Sequence, residues 1–388
     1  MFFMKKLSVG LLGCGDVSDV YFRNCAAFDS IEIVACASLH QEKAKAKASQ
    51  YAIPRACGID ELLAAPEVDV ILNLTSPQAH AKLSLAALRN GKHVYTEKPL
   101  ALSLADAAGL LSAADAKGLR IGSAPETFLG ARLQACRRAI DSGLIGEPVG
   151  ASAFVVSPGH EWHHPNPAFF YKRGAGPVLD MGPYYITALV ALLGPVVRVS
   201  GFSRTTFPRR TVQSLPHRGD RVDVEVATHV AGTLEFENGA IATLVASFDV
   251  WDSNLPRMEI YGTEGTLCLP DADPIEGPNI FGGRLLVRTR ATSRWRGVPR
   301  PPGLEQWTEI PVGTAFAGNS RGLGLADMAR AIGEGRPHRA NGALAYHVLE
   351  VALGLLEAAE TRSCRAVTST CVRPEPLPAP DVQPGHAE

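Results

Sequence analysis

The hydrophobic pattern of the chain changes about a third of the way along. Before that point, short apolar runs alternate with segments of helical period. Leu7–Leu12 is continuously apolar, as suits a strand buried on both faces. Ile31–Ala37, Val68–Leu74, His93–Thr96 and Arg120–Ala124 repeat the signal. Helical segments follow Gly15, cover Gln41–Tyr51, run from about Gln78 to Asn90 and start again at Ser103. This alternation predicts an α/β domain over residues 1–124 built on a doubly wound parallel sheet.

After Pro125 the period shortens to two. One helix is expected over Leu129–Ser142, and strands then dominate. Val226–Phe236 and Ala240–Trp251 flank Glu237-Asn238-Gly239, a hairpin signal. Met258–Tyr261 and Thr266–Leu269 flank a second glycine turn. The pattern predicts an α+β domain over 125–372 with an antiparallel sheet, one face of which meets solvent or a partner. A helix over Gly342–Thr361 closes it. Residues 373–388 form a Pro-rich tail, expected to be disordered from Pro374.

Composition narrows the classes. A net charge of -1 with 20% charged residues gives no basic surface for nucleic acid or an anionic membrane. No uninterrupted apolar stretch reaches the roughly 18 residues of a membrane span, and Ile186–Leu193 is the longest candidate. The residues before the first strand are too few for a signal peptide. The eight cysteines form no C-x-x-C pair and read as reduced thiols of a cytoplasmic protein.

Candidate chemistry begins at the end of the first strand. Gly13-Cys14-Gly15-Asp16-Val17-Ser18 has the strand–turn–helix setting of a dinucleotide fingerprint, with Ser18 where Gly or Ala is usual. Gly13 makes the turn, Gly15 lets a pyrophosphate approach, and Asp16 and Val17 lead into a helix N-terminus of positive potential. Ser38 ends the second strand, where an acid would mark NAD; with His40 nearby and no arginine, NAD or NADP remains open. Thr75, Pro77 and His80 follow the Val68–Leu74 strand and are expected beside the nicotinamide ribose. Glu97-Lys98-Pro99 ends the next strand and faces the same cleft. Pro99 is expected to open the next helix and Glu97 to steady the ribose.

These segments, with Gly174-Ala175-Gly176 and Asp180-Met181-Gly182-Pro183-Tyr184, resemble the Gfo/Idh/MocA family of NAD(P)-dependent oxidoreductases over roughly residues 7–370. The resemblance implies a Rossmann domain, a second domain with a large open sheet, and a homodimer or homotetramer built on that sheet. It also implies acid–base work shared by Lys98 and Tyr184, with Asp180 orienting the substrate hydroxyl and Lys98, and with tyrosine where most members carry histidine. A Lys98 ammonium close to Tyr184 would favour its phenolate; alternatively Tyr184 only packs and Lys98 acts alone.

His160-Glu161-Trp162-His163-His164 has the letters of a zinc motif, but the flanking prolines forbid the helix that motif needs, so no metal is expected. The segment reads instead as a substrate loop. Trp162 offers a flat face to a sugar and the histidines, His163 among them, can bond hydroxyls; Tyr171 and Lys172 are the other candidates for substrate contact, though Lys172 equally fits an ordinary surface lysine. The expectation is a sugar or polyol oxidoreductase. An NAD-dependent glycoside hydrolase working through transient oxidation would use the same residues; a non-catalytic ligand sensor on the same fold is the other alternative, and retention of Lys98, Asp180 and a protic residue at 184 argues against it.

Overall fold

The computed structural model describes residues 6–270, 280–292 and 306–378. Six strands, β1 (Leu7–Leu12), β2 (Ile31–Ala37), β3 (Arg55–Cys57), β4 (Val70–Asn73), β5 (His93–Thr96) and β6 (Ile121–Ser123), form a parallel sheet in the order β3-β2-β1-β4-β5-β6. Leu11, Leu12, Ile71 and Leu72 are inaccessible. Each such side chain contributes about 2 kcal/mol relative to exposure, which fixes the register of the central strands. β3 and the helix Ile59–Ala64 after it were absent from the sequence reading. Three residues are too few to show a period.

Strand order reverses between β1 and β4. A crevice opens at such a switch point, outside the carboxyl ends of the strands. Gly13 follows β1, Thr75 follows β4 and Lys98 follows β5, so the topology alone brings the three motifs to one edge.

The remaining strands are β7 (Pro148–Val156), β8 (Val196–Arg204), β9 (Arg209–Thr211), β10 (Arg221–Asp223), β11 (His229–Phe236), β12 (Ile241–Ser247), β13 (Met258–Gly262), β14 (Gly265–Leu269), β15 (Leu285–Thr289), β16 (Thr308–Ile310) and β17 (Arg365–Ala366). β9 and β10 make a separate two-stranded ribbon. The other nine form one sheet, antiparallel apart from the β7–β12 pair. The expected hairpin joins β11 to β12, with Gly239 at φ +85°. Alternation decides the faces. Val230, Leu234, Ala242 and Leu244 are inaccessible, whereas Phe202 and Ile241 on the other side are mostly exposed.

The helix Gly342–Thr361 packs on β8 and on the helix Gly182–Leu193, and reaches β6 and the helix Leu104–Asp115 of the first sheet. Among the described residues it is the one helix long and apolar enough to cross a membrane by length and composition. The expected helix over Leu129–Ser142 is divided at Gly130 into a 3₁₀ turn, Thr127–Leu129, and the helix Ala131–Asp141. A Cβ at Gly130 would meet Phe281 Cα at 2.5 Å, so close backbone packing rather than propensity sets the break.

Residues 374–378 depart from the expected disorder. The Pro374 carbonyl accepts from Arg137, those of Glu375 and Pro376 accept from Arg339, and the Leu377 N–H donates to Gln134. Arginines on other elements supply what a tail poor in apolar residues lacks. Residues 379–388 lie outside the described residues.

Candidate active site

The cofactor edge is built mainly from backbone. Gly13 has φ +106°, and a Cβ there would lie 2.7 Å from the Leu74 carbonyl carbon and oxygen. Any other residue would force the turn off the end of β4. Around Gly15 nothing lies within 4 Å of a would-be Cβ, so the exposed backbone is open to a ligand. Asp16 is exposed and Val17 is half-buried just before the helix Ser18–Cys25. The departure at the third fingerprint position is accommodated locally: Ser18 is inaccessible and its hydroxyl donates to the Gly15 carbonyl at 2.6 Å. The turn therefore fits a dinucleotide pyrophosphate. At the end of β2, Ser38 is half-buried and His40 exposed. Thr75 is half-buried, with its hydroxyl on Asn73 at 2.7 Å, and Pro77 is the first residue of its helix.

His80 and Glu97 stand elsewhere than expected. His80 is buried, with Nδ1 2.7 Å from the Pro99 carbonyl and Nε2 2.9 Å from that of Thr75. It joins the two loops instead of reaching a ribose. Burial pulls its pKa down even though both carbonyls favour the protonated ring. Glu97 accepts from the Tyr21 hydroxyl at 2.9 Å and from the Lys98 N–H at 3.0 Å. It is an internal tie between the cofactor helix and β5. The Lys98–Pro99 peptide is cis, and the next helix starts at Leu104, capped by Ser103, not at Pro99.

Lys98 projects across the cleft to Asp180. Its Nζ lies 2.7 Å from Oδ1 and 2.5 Å from the Asp180 carbonyl, and both side chains are largely buried. Burial opposes the Lys98 charge, but Asp180, Tyr184 and Glu97 outweigh it and raise its pKa. Burial likewise opposes the Asp180 charge, yet Lys98 and His160 hold the carboxyl well below the usual carboxylate range. Each group keeps the other ionised. The second Asp180 oxygen meets His160 Nε2 at 3.1 Å, and the His160 ring stacks on Phe170 with centroids 3.7 Å apart. A His160–Asp180–Lys98 chain thus lines the cleft: His160, expected with the other loop histidines to bond substrate hydroxyls, instead meets Asp180.

Tyr184 is buried near this chain, but its hydroxyl is not on Lys98. The Lys98 ammonium lies over the ring, 5.3 Å from its centroid. The hydroxyl accepts from Arg321 Nη2 at 2.8 Å. Arg321 was missed altogether, because no local pattern marks an arginine in a loop as the partner of a tyrosine 137 residues away.

The substrate loop forms a 3₁₀ turn, His160–Trp162, rather than an α-helix. Trp162 and His163 are exposed, and Trp162 meets the exposed Trp251 edge-on at 5.1 Å. His160, at the start of the loop, meets the Asp180 carboxylate at 3.1 Å, which sets the loop over the cleft. Tyr171 and Lys172 do not line it. Tyr171 is inaccessible and donates to Glu161; burial and that carboxylate push its phenol up. Lys172 pairs with Glu225 at 2.8 Å on the surface. Beneath the loop, Arg210 is buried between Glu161 and Asp249 and fixes it from below.

A glycine turn opening a helix, a lysine at the neighbouring switch-point edge and a carboxylate closing over that lysine define a nicotinamide-dinucleotide oxidoreductase. Two family models match: an oxidoreductase family with an NAD-binding Rossmann fold over residues 7–124, and a GFO/IDH/MocA C-terminal domain over residues 133–268. The chain belongs to the GFO/IDH/MocA oxidoreductase family. It is 29% identical to 1,5-anhydro-D-fructose reductase of Ensifer adhaerens over 66% of this chain and 74% of that one. It is 31% identical to dTDP-3,4-didehydro-2,6-dideoxy-alpha-D-glucose 3-reductase of Streptomyces violaceoruber over 60% of this chain and 67% of that one. Levoglucosan dehydrogenase in complex with NADH and L-sorbose shares the fold, with a TM-score of 0.79 at 21% identity over 94% of this chain and 99% of that one. The protein is accordingly an NAD(P)-dependent sugar or polyol oxidoreductase.

Proposed function

We propose that the protein transfers hydride between a hydroxyl-bearing carbon of a sugar or polyol and a nicotinamide held at Gly13 and Gly15. Lys98, kept charged by Asp180, holds the substrate oxygen, and Tyr184 exchanges the proton. Trp162 and Trp251 offer apolar faces to the C–H side of the ring. The observation that carries this reading is the buried Lys98–Asp180 pair at the end of β5. A cytosolic homo-oligomer is part of the proposal, supported by eight free thiols and by Val149, Phe202 and Ile241 exposed on the second sheet.

The test is nicotinamide absorbance with NAD and NADP against a panel of sugars and polyols. Lys98→Met should lower kcat about 1000-fold while the cofactor still binds. No turnover on any compound of the panel would sink the reading.

A further inference from the structure

Tyr184 and Lys98 are each held from one side, and the sides that remain have a definite polarity. A phenol oxygen has one proton to give and lone pairs to accept with, whereas a guanidinium only donates. Arg321 Nη2, 2.8 Å from the Tyr184 hydroxyl, therefore occupies an accepting position. The Tyr184 proton must point elsewhere. Lys98 has three N–H groups. Two are directed at the Asp180 carbonyl and carboxylate. One N–H of Lys98 and the O–H of Tyr184 are left. Two donors suit an oxygen that carries or gains negative charge.

Arg321 is itself fixed from both halves of the molecule. Its Nη1 donates to Asn319 at 2.8 Å, and its Nε lies 3.6 Å from the Glu97 carboxylate. Its carbonyl accepts from Asn24, on the helix after the glycine turn, at 2.9 Å. The next N–H, of Gly322, donates to the buried Glu126 at 2.6 Å. Such anchoring is unusual for a loop arginine whose only duty is solvation.

We propose that Arg321 is the positioning residue for Tyr184: by filling the acceptor side of the phenol oxygen it turns the phenol proton toward the substrate oxygen. This rests on the sugar oxidoreductase reading above. In the reducing direction, the bound cofactor would supply hydride: its nicotinamide C4–H bond would break and the cofactor be oxidised, while the substrate carbonyl carbon gains the C–H bond and the carbonyl π pair moves onto oxygen. The Tyr184 O–H bond breaks to protonate that oxygen, and the phenolate stays opposite Arg321 until water returns a proton. Oxidation is the reverse.

The test is a double-variant cycle with a spectroscopic arm. Arg321→Met should lower kcat about 100-fold, with KM and cofactor Kd within about threefold. Arg321→Lys, which keeps a donor and a charge, should recover about tenfold of that loss. In a Tyr184→Phe background, Arg321→Met should cost less than about threefold more. In the protein without cofactor, the ultraviolet resonance Raman signal that disappears in Tyr184→Phe should change in Arg321→Met from that of an accepting phenol to that of a donor only. Multiplicative losses in the double variant, loss of cofactor binding in Arg321→Met, or an unchanged Tyr184 signal would each overturn the proposal. If Arg321→Met does not fold, Arg321→Lys completes the cycle. Absence of any sugar turnover by the native protein would defeat the functional reading, and the Raman arm would still decide whether Arg321 orients Tyr184.

Discussion

Gly13 and Arg210 represent two ways of holding a site. At Gly13 the cofactor turn is set by backbone alone: φ is +106° and the end of β4 lies where a side chain would go. At Arg210 the substrate loop is set by charge: one buried guanidinium satisfies Glu161 and Asp249, and Glu161 in turn takes the Tyr171 hydroxyl. The first kind of support fails when an atom is added. The second fails when one is removed, because buried charges are left without a countercharge. Glu126 sits where the two halves meet, accepting from Gly322 on one side and Tyr95 on the other.

The largest effect should come from the charged side of this contrast. Arg210→Met strands two buried carboxylates and should cost about 4 kcal/mol in urea unfolding, with a raised sugar KM and little change in cofactor Kd. If stability falls by less than about 1 kcal/mol, the loop is not held by this pair.

Next is the junction. Burial, reinforced by Glu97, pushes the Glu126 carboxyl up to about 7 from an ordinary 4.5. A group whose pKa is raised on folding stabilises most below its unfolded value, and that contribution disappears as pH rises through the folded value. Stability should therefore fall by about 3 kcal/mol between pH 4.5 and 7 on account of this residue. Urea midpoints of Glu126→Gln across the same range should lack that share of the fall; an identical slope in both proteins would remove Glu126 as its source.

The backbone side gives a smaller cost in stability and a selective one in function. Gly13→Ala should destabilise by about 2 kcal/mol through the strained φ and the clash with Leu74. Fluorescence titration should show nicotinamide dinucleotide affinity falling while the Arg210 network keeps the loop in place. Lys172→Ala calibrates the lower end. An exposed pair such as Lys172–Glu225 contributes little to stability, so stability and sugar KM should stay put. A KM rise above tenfold would return Lys172 to the substrate site.

Much of this contrast follows the range over which a residue finds its partner. The parallel sheet was legible because short apolar-rich runs at β1, β2, β4 and β5 alternate with helical segments, and Gly342–Thr361 because its period extends over 20 residues. β3, β9, β10 and β17 were not, since two or three residues carry no period. Lys98 was singled out by its place after an apolar strand, and Asp180 and Tyr184 by resemblance to a family segment; the structure puts all three within one cluster. Glu97 and His80 follow strands that end at the cleft, but their side chains turn inward to Tyr21 and to two carbonyls instead of toward a ribose.

The sequence by itself determined that a glycine turn follows the first strand, that a lysine follows the His93–Thr96 strand, and that Asp180 and Tyr184 stand four residues apart. These depend on backbone geometry within a few residues. Tertiary structure alone decided which charge meets which. It gave Asp180 to Lys98 and His160, and Tyr184 to Arg321. Buried ionic groups bond whatever complementary group packing brings within about 3 Å, and that depends on how the two sheets meet rather than on any local run of residues.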